Sequence, residues 1–376
     1  MVWRVRGVVF LLCGVVCFLA PAIVWGADDV WTSGGDGWWT NAGSWSLGTV
    51  PGAADNAIFR HAGTNYTNYL GSNFVVDGLY YENTNGTHWF DMTGNSLTLD
   101  GGSALRVGYL VSGSDAVIYG GGTLTMQAGA GNDVYIGYHG TANDHNYYTG
   151  RLVVSNVTAN LTVRDFCVGH NAHNANLYTN GASGTLVFSN CPGVTLAVTR
   201  YFYVGRGKTT TGLVEFVDSP ATLKIGTPAT DATGTHVGYR YTGTTGPGHT
   251  RGSVVLGSNS VVEVYTRDFR LGNQTINNTA DSTYGLMDLR GATSTVFQVK
   301  ANNFYVGVGG AATGLLQLAP GARVSLGTET SRLTDLRLGY RAYANAGSGV
   351  DGRVEIGSNT DFQVWMNGSF SLGYGG

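Results

Sequence analysis

A short phrase, apolar-x-apolar-Gly usually followed by Tyr, His or Arg, recurs along the chain and reads Phe202-Tyr203-Val204-Gly205-Arg206 in one of its cleaner copies. It ends at Gly108, Gly137, Gly169, Gly205, Gly238, Gly272, Gly307, Gly339 and Gly373, in steps of 29 to 36 residues. An interval of that size marks a repeat architecture, in which no unit buries its apolar face alone and neighbours must stack.

Alignment on the glycine gives three short strands per unit. In the first, the residues three and one before Gly are apolar and read inward, as in Phe166 and Val168 or Phe202 and Val204; Thr235 is the exception. Between them lies an outward column of polar or aromatic residues, among them Arg106, Tyr135, Cys167, Tyr203 and His236. That is the period of two expected of a strand. The second strand opens on another glycine, as in Gly184-Thr-Leu186-Val-Phe188, and the third follows within a few residues, as in Leu196-Ala-Val198. No helical period competes. The fold class predicted is all-β: a right-handed parallel β-helix of about nine three-strand coils, carried by residues 95–376, with an N-terminal Trp-rich β cap over 27–94. The anchor glycine is expected to end the first strand and turn the chain into a variable loop.

Composition fits a solenoid. Glycine, at 59 of 376 residues, is about twice its usual share. Charged residues make up only 12% and hydrophobic residues 43%, which excludes a disordered chain. At the N-terminus, Arg4 and Arg6 precede an apolar run from Val8 to Ala20, and a cut before Ala27 gives residues 1–26 as a signal peptide. An uncleaved anchor is the alternative reading. The mature chain would then be exported through the inner membrane, secreted or associated with the outer surface, with no further membrane span. Losing Arg4 and Arg6 takes the formal charge from -3 to -5, and with only three lysines and no basic run nucleic acid is excluded as a partner. Of four cysteines, Cys167 and Cys191 remain in a compartment where they can pair, two separate thiols being the alternative.

The mature chain opens Trp31-Thr-Ser-Gly-Gly-Asp36-Gly-Trp38-Trp39-Thr-Asn41-Ala-Gly-Ser-Trp45, followed by Val50-Pro51-Gly52, Asp55, Ala57 and Phe59. Trp31, Trp38, Trp39 and Trp45 read either as a glycan-binding patch, since indole faces stack on sugar rings, or as a packed cap on the first coil. This opening, residues 31 to 59, resembles that of autotransporter-associated beta-strand repeat and PEP-CTERM-type secreted bacterial repeat proteins. The resemblance implies a β-helical, secreted or surface-displayed protein and implies no reaction.

Chemistry is expected in the loops on one edge of the coil. His139, Asp144, His145, His170 and His173 lie in the loops of successive coils and would form a nitrogen-oxygen metal site if they converge; solvated polar loops are the alternative. Outward carboxylates Glu215, Asp288 and Glu355 fall on separate coils, as do Asp165 and Asp268, so no catalytic pair is assembled. No nucleotide fingerprint or phosphate loop is present, and no cofactor is expected. Two functions follow: a structural or adhesive passenger, a monomeric solenoid displaying loops to polysaccharide or cell-surface glycans, or a carbohydrate-active enzyme, lyase or glycoside hydrolase, on the same fold. The last residues, Gly373-Tyr374-Gly375-Gly376, repeat the anchor phrase with no second strand after it, so the sequence is expected to be part of a longer protein.

Overall fold

In the computed structural model, residues 27–62, 65–100, 105–127, 132–140, 146–172, 181–241, 248–275, 282–300, 302–342 and 349–373 are described. The signal-peptide segment lies outside them. The chain is a parallel β-helix. Its first strands form one ladder from Asp28–Val30, through Asn56–Phe59, Gly78–Tyr81 and Leu105–Tyr109, to Met366–Leu372. Second strands form an 11-stranded sheet of their own, from Gly37–Trp38 to Asp351–Glu355. Third strands join the first in a 20-stranded sheet, because Thr158–Asn171 and Val194–Arg206 run unbroken around the corner between them. Parallel pairing therefore begins at Asp28, and residues 27–94 add coils of their own beneath the cap.

The inward columns stack like on like. Phe166 lies on Phe202 at 5.1 Å and 8°, Phe188 on Phe216 at 5.0 Å, and Phe269 on Phe304 at 5.2 Å. These separations are close to the roughly 4.8 Å rung spacing of a sheet, so each ring is positioned by the backbone and needs no rearrangement to stack. Thr235 occupies the Phe column fully buried, and its hydroxyl finds no partner among the described residues.

The anchor glycine does something other than end a strand. Pairing passes from Ile136↔Val168 to Tyr138↔His170 with the register kept, so Gly137 and Gly169 are left-handed kinks inside strands that continue for two more residues. The anchor glycines have φ between 56° and 64°, the left-handed region that side chains with a Cβ resist. A Cβ on Gly169 would lie 1.9 Å from the Thr211 carbonyl oxygen, and one on Gly184 would lie 2.1 Å from the Ile136 carbonyl oxygen and 2.3 Å from the Gly169 nitrogen. The first and second sheets thus touch backbone to backbone along a double row of glycines.

This seam divides the cross-section. On one side lies the apolar core. Beyond it the continuing strand turns polar residues into a narrow second zone, where His139, Asn171, Arg240 and Gln274 are buried opposite Thr210, Thr250 and Thr283. There His139 Nδ1 and Asn171 Oδ1 are 3.1 Å apart, Thr250 Oγ1 donates to the Gly207 carbonyl at 2.6 Å, and Arg240 Nη1 donates to the Gly248 carbonyl at 2.8 Å.

The seam is intolerant of any side chain. Gly169→Ala or Gly184→Ala should cost more than about 4 kcal/mol and prevent accumulation of the folded chain. Gly193→Ala, with nothing near its Cβ position, should leave the urea midpoint unchanged. Midpoints that are equal in all three variants would show that the sheets can separate at the seam.

Candidate functional site

The outward surface of the first ladder carries a run of ionisable groups, and neighbouring coils consume them. Asp133 accepts from Arg164 Nη2 at 2.7 Å and from the Tyr135 hydroxyl at 2.9 Å. Asp165 accepts from Arg200 Nε at 2.7 Å, and Asp335 from the Tyr305 hydroxyl and from Arg337 Nη2, both at 2.7 Å. Asp268 is the most elaborated, with His236 Nε2 at 2.9 Å, Arg270 Nε at 2.7 Å and Asn303 Nδ2 at 2.9 Å. Burial pushes its carboxyl up, but the hydrogen bonds from His236 and Arg270 and the charge of Arg270 outweigh that and hold it well below the usual carboxylate range. Burial keeps His236 neutral, so it serves as a donor. Each of these acids is a staple between coils.

Arginines without a carboxylate insert between rings. Arg106 lies 4.4 Å from the Tyr80 ring and 4.6 Å from Tyr109, and Arg206 lies 4.2 Å from Tyr203 and 4.4 Å from Tyr241. The Tyr column after the anchor glycine stacks along the coil, Tyr109 on Tyr138 at 5.1 Å and 6°.

Of the five candidate metal ligands, the two among the described residues, His139 and His170, are not brought together. Tyr138↔His170 and His139↔Asn171 are successive register pairs, so His139 and His170 point to opposite faces of their ladder. His139 is held by Asn171 inside the second zone, while His170 Nε2 accepts from Arg206 Nη1 at 2.8 Å on the outer face. Asp144, His145 and His173 lie outside the described residues. Among the described residues no three His, Cys, Asp or Glu side chains converge on a metal-sized site. Cys167 and Cys191 are both buried free thiols. Cys191 faces the apolar core with Sγ donating to the Val154 carbonyl, whereas Cys167 sits on the outer face, where burial and then the charge of Asp165 push its thiol well up. Of the outward carboxylates on the second ladder, Asp288 is paired with Arg290 at 2.7 Å and Glu355 accepts from Gln317 at 2.6 Å.

The tryptophans separate into two populations. Trp31, Trp39 and Trp45 are at most 3% exposed, pack edge-on at 4.9 to 5.1 Å and close the first coil over Phe59. The Trp45 indole N–H donates to the Trp39 carbonyl at 2.8 Å. These three form the cap and present no face to a sugar. Trp38 is 53% exposed, on the outward side of the second ladder, with Tyr69 at 5.1 Å. Two coils further, Trp89 is 40% exposed and meets Tyr119 edge-on at 5.8 Å. Trp89 is not part of the glycine-anchored pattern; its signal is the alternation Thr87-His88-Trp89-Phe90-Asp91, in which His88 and Phe90 are buried and Trp89 points out.

The same alternation puts a histidine in the core. His88 is fully buried, its ring 4.1 Å from that of Phe59, with Nδ1 3.1 Å from His61 Nε2. Burial pushes His61 down to about 4, and pushes His88 well below its ordinary value, with His61 adding to the shift. Both pKa values lie below those of the unfolded chain, which therefore binds more protons as the pH drops. Stability should be level above pH 6.5 and fall progressively from 6.5 towards 4. His88→Leu, which continues the column of Leu152, should make this acid limb shallower in thermal midpoints recorded across the window, the remainder belonging to His61, His170 and His236, which burial also depresses; an unchanged limb would assign the whole loss to those groups.

Among the described residues no helix is long and apolar enough to cross a membrane. Comparisons with protein families, with curated proteins and with solved structures found no match to this chain.

Proposed function

We propose that the protein is a secreted or cell-surface repeat protein, a structural and adhesive passenger whose rigid coil presents variable segments to glycans. One observation carries this reading: the connections from the first to the second ladder all leave and return at the same edge. Ala172, Tyr241 and Thr275 precede such connections, and Gly181, Gly248 and Ser282 follow them, at stacked positions just beyond the glycine seam. The seam fixes that edge, so sequence change in the connections leaves the coil intact. The apolar start of the sequence and the resemblance of residues 31–59 to secreted bacterial repeat proteins support export. The use of Asp133, Asp165, Asp268 and Asp335 as inter-coil staples supports a scaffold, because each carboxylate is already committed.

Two measurements test the reading. Antibody or protease applied to intact expressing cells should reach the protein, and its confinement behind the envelope would overturn surface display. Purified protein incubated with plant and algal polysaccharides should leave them uncut, and reproducible release of reducing ends or unsaturated products would establish the carbohydrate-active enzyme instead.

A further inference from the structure

We infer that the outward face of the first second-ladder strands is a binding strip for a neutral polysaccharide chain, formed by Trp38, Tyr69, Trp89 and Tyr119 with the carboxylates of Asp36 and Asp91. The inference rests on the adhesive reading and gives it a place and a ligand class.

Register sets the geometry. Trp38↔Tyr69, Tyr69↔Asp91 and Asp91↔Tyr119 are successive partners, so these four side chains form one outward column on consecutive coils. Trp89 stands in the neighbouring outward column and reaches Tyr119. Three rung spacings make the strip about 14 Å long, running along the solenoid axis. Further along the ladder the outward column of Trp89 continues through Val153, Val187, Glu215, Asp288 and Glu355, and outward rings recur singly, at Tyr147 and Tyr284.

An indole left 53% exposed and another at 40% forgo burial worth kilocalories per mole, while three tryptophans of the same coil region are packed away almost completely. Ring faces are the negative side of the aromatic quadrupole and attract the polarised C–H groups of a sugar ring. Hydroxyl groups then need acceptors. Asp36 Oδ1 is held by the Thr67 backbone N–H at 2.7 Å and Asp91 Oδ1 by the Thr93 backbone N–H at 2.8 Å, so each carboxylate is fixed in place through one of its oxygens. The phenol of Tyr119 is pushed up first by partial burial and then by Asp91, Tyr69 and Asp36, which places all four groups within electrostatic reach.

Charge selects the ligand. The strip carries two carboxylates, and Arg151, further along the ladder, is taken up by Asp115 at 2.9 Å. An acidic polysaccharide would meet like charge here, and a neutral one would not.

The test is affinity electrophoresis of the purified mature chain in gels containing xyloglucan, galactomannan or laminarin, with alginate and polygalacturonate as acidic counterparts. At least one neutral polymer should retard the protein while the acidic ones do not. Trp38→Ala and Trp89→Ala should each weaken that retardation at least tenfold, and Trp38→Phe should restore most of it, with unchanged far-UV circular dichroism in all three. Retardation that survives both alanine variants would overturn the strip while leaving glycan adhesion standing. Absence of retardation by every polymer would overturn both. A dimer in sedimentation that dissociates in Trp38→Ala would show that a second copy covers this face, and would also overturn the proposal.

Discussion

The contact between two rows of backbone, anchor glycine against second-strand glycine, is the constraint on which the rest of the molecule depends. In an ordinary β-helix corner, side chains separate the sheets. Here the Gly184 Cβ position is already occupied by the Ile136 carbonyl oxygen and the Gly169 nitrogen, and Gly212, Gly252, Gly285 and Gly314 repeat the arrangement. Close approach lets the first strand run past the core and bury a second, polar set of residues. The seam thereby separates two interiors with different chemistry: stacked Phe, Val and Leu on one side, and hydrogen-bonded His139, Asn171, Arg240 and Gln274 on the other.

Where the glycines are missing, the chain uses other means. In the coils of Asn56–Phe59 and Gly78–Tyr81, Arg60 and Glu82 stand in the anchor column and pair with each other at 2.6 Å. Without the seam, the early interior admits bulkier and more polar groups. Tyr81 and His88 occupy inward positions that later coils fill with Val107, Ile136 and Leu152, and Asn68 sits in the column of Phe90 and Ile118. The amide of Asn68, the Tyr81 hydroxyl and His88 Nε2 find no partner among the described residues. Such groups weaken the first coils, since each carries an uncompensated desolvation cost. The tryptophan cap sits over the same coils and covers their apolar end with large rings.

How far the sequence could be read follows from these contacts. The Phe and Val columns were legible because a period of two and a period near 33 coincide on residues such as Phe166, Phe202 and Phe269, and burial in the structure follows them. The glycine was legible as a special backbone position, but the strand's continuation through it was not: a strand that runs on through a left-handed residue changes which side chains face in, and nothing in Tyr138-His139 announces that reversal. That is why His139 and His170, both in reach of a shared loop by counting, lie on opposite faces. The coils before Leu105 were hidden because Arg60 and Glu82 replace the glycine used as the alignment mark. One signal was present and unread: Asn156, Asn190, Asn259 and Asn359 all follow Ser and all have φ between 54° and 61° or close to it, at 52° for Asn190. They form a left-handed corner after the second strand, a role Asn fills more readily than other side chains.

The division of labour among aromatic residues follows from the same geometry. A solenoid whose interior is filled by in-register stacking of its own side chains leaves ligand recognition to outward columns or edge connections. On the first ladder the outward columns are already occupied by Asp–Arg and Asp–Tyr staples, which add inter-coil hydrogen bonds at the expense of free polar groups. On the second ladder the outward positions from Val153 onward mix aliphatic, hydroxyl and charged side chains, as in the column Val153, Val187, Glu215 and in the pair Leu286 and Leu315. At its first coils exposed rings and fixed carboxylates coincide, and these are the coils where the seam has yet to form and the cap holds the chain instead. A partly apolar outer face is tolerated there because Trp31, Trp39 and Trp45 hold the end of the helix from inside, leaving Trp38 and Trp89 to pack only part of their rings, on Tyr69 and Tyr119.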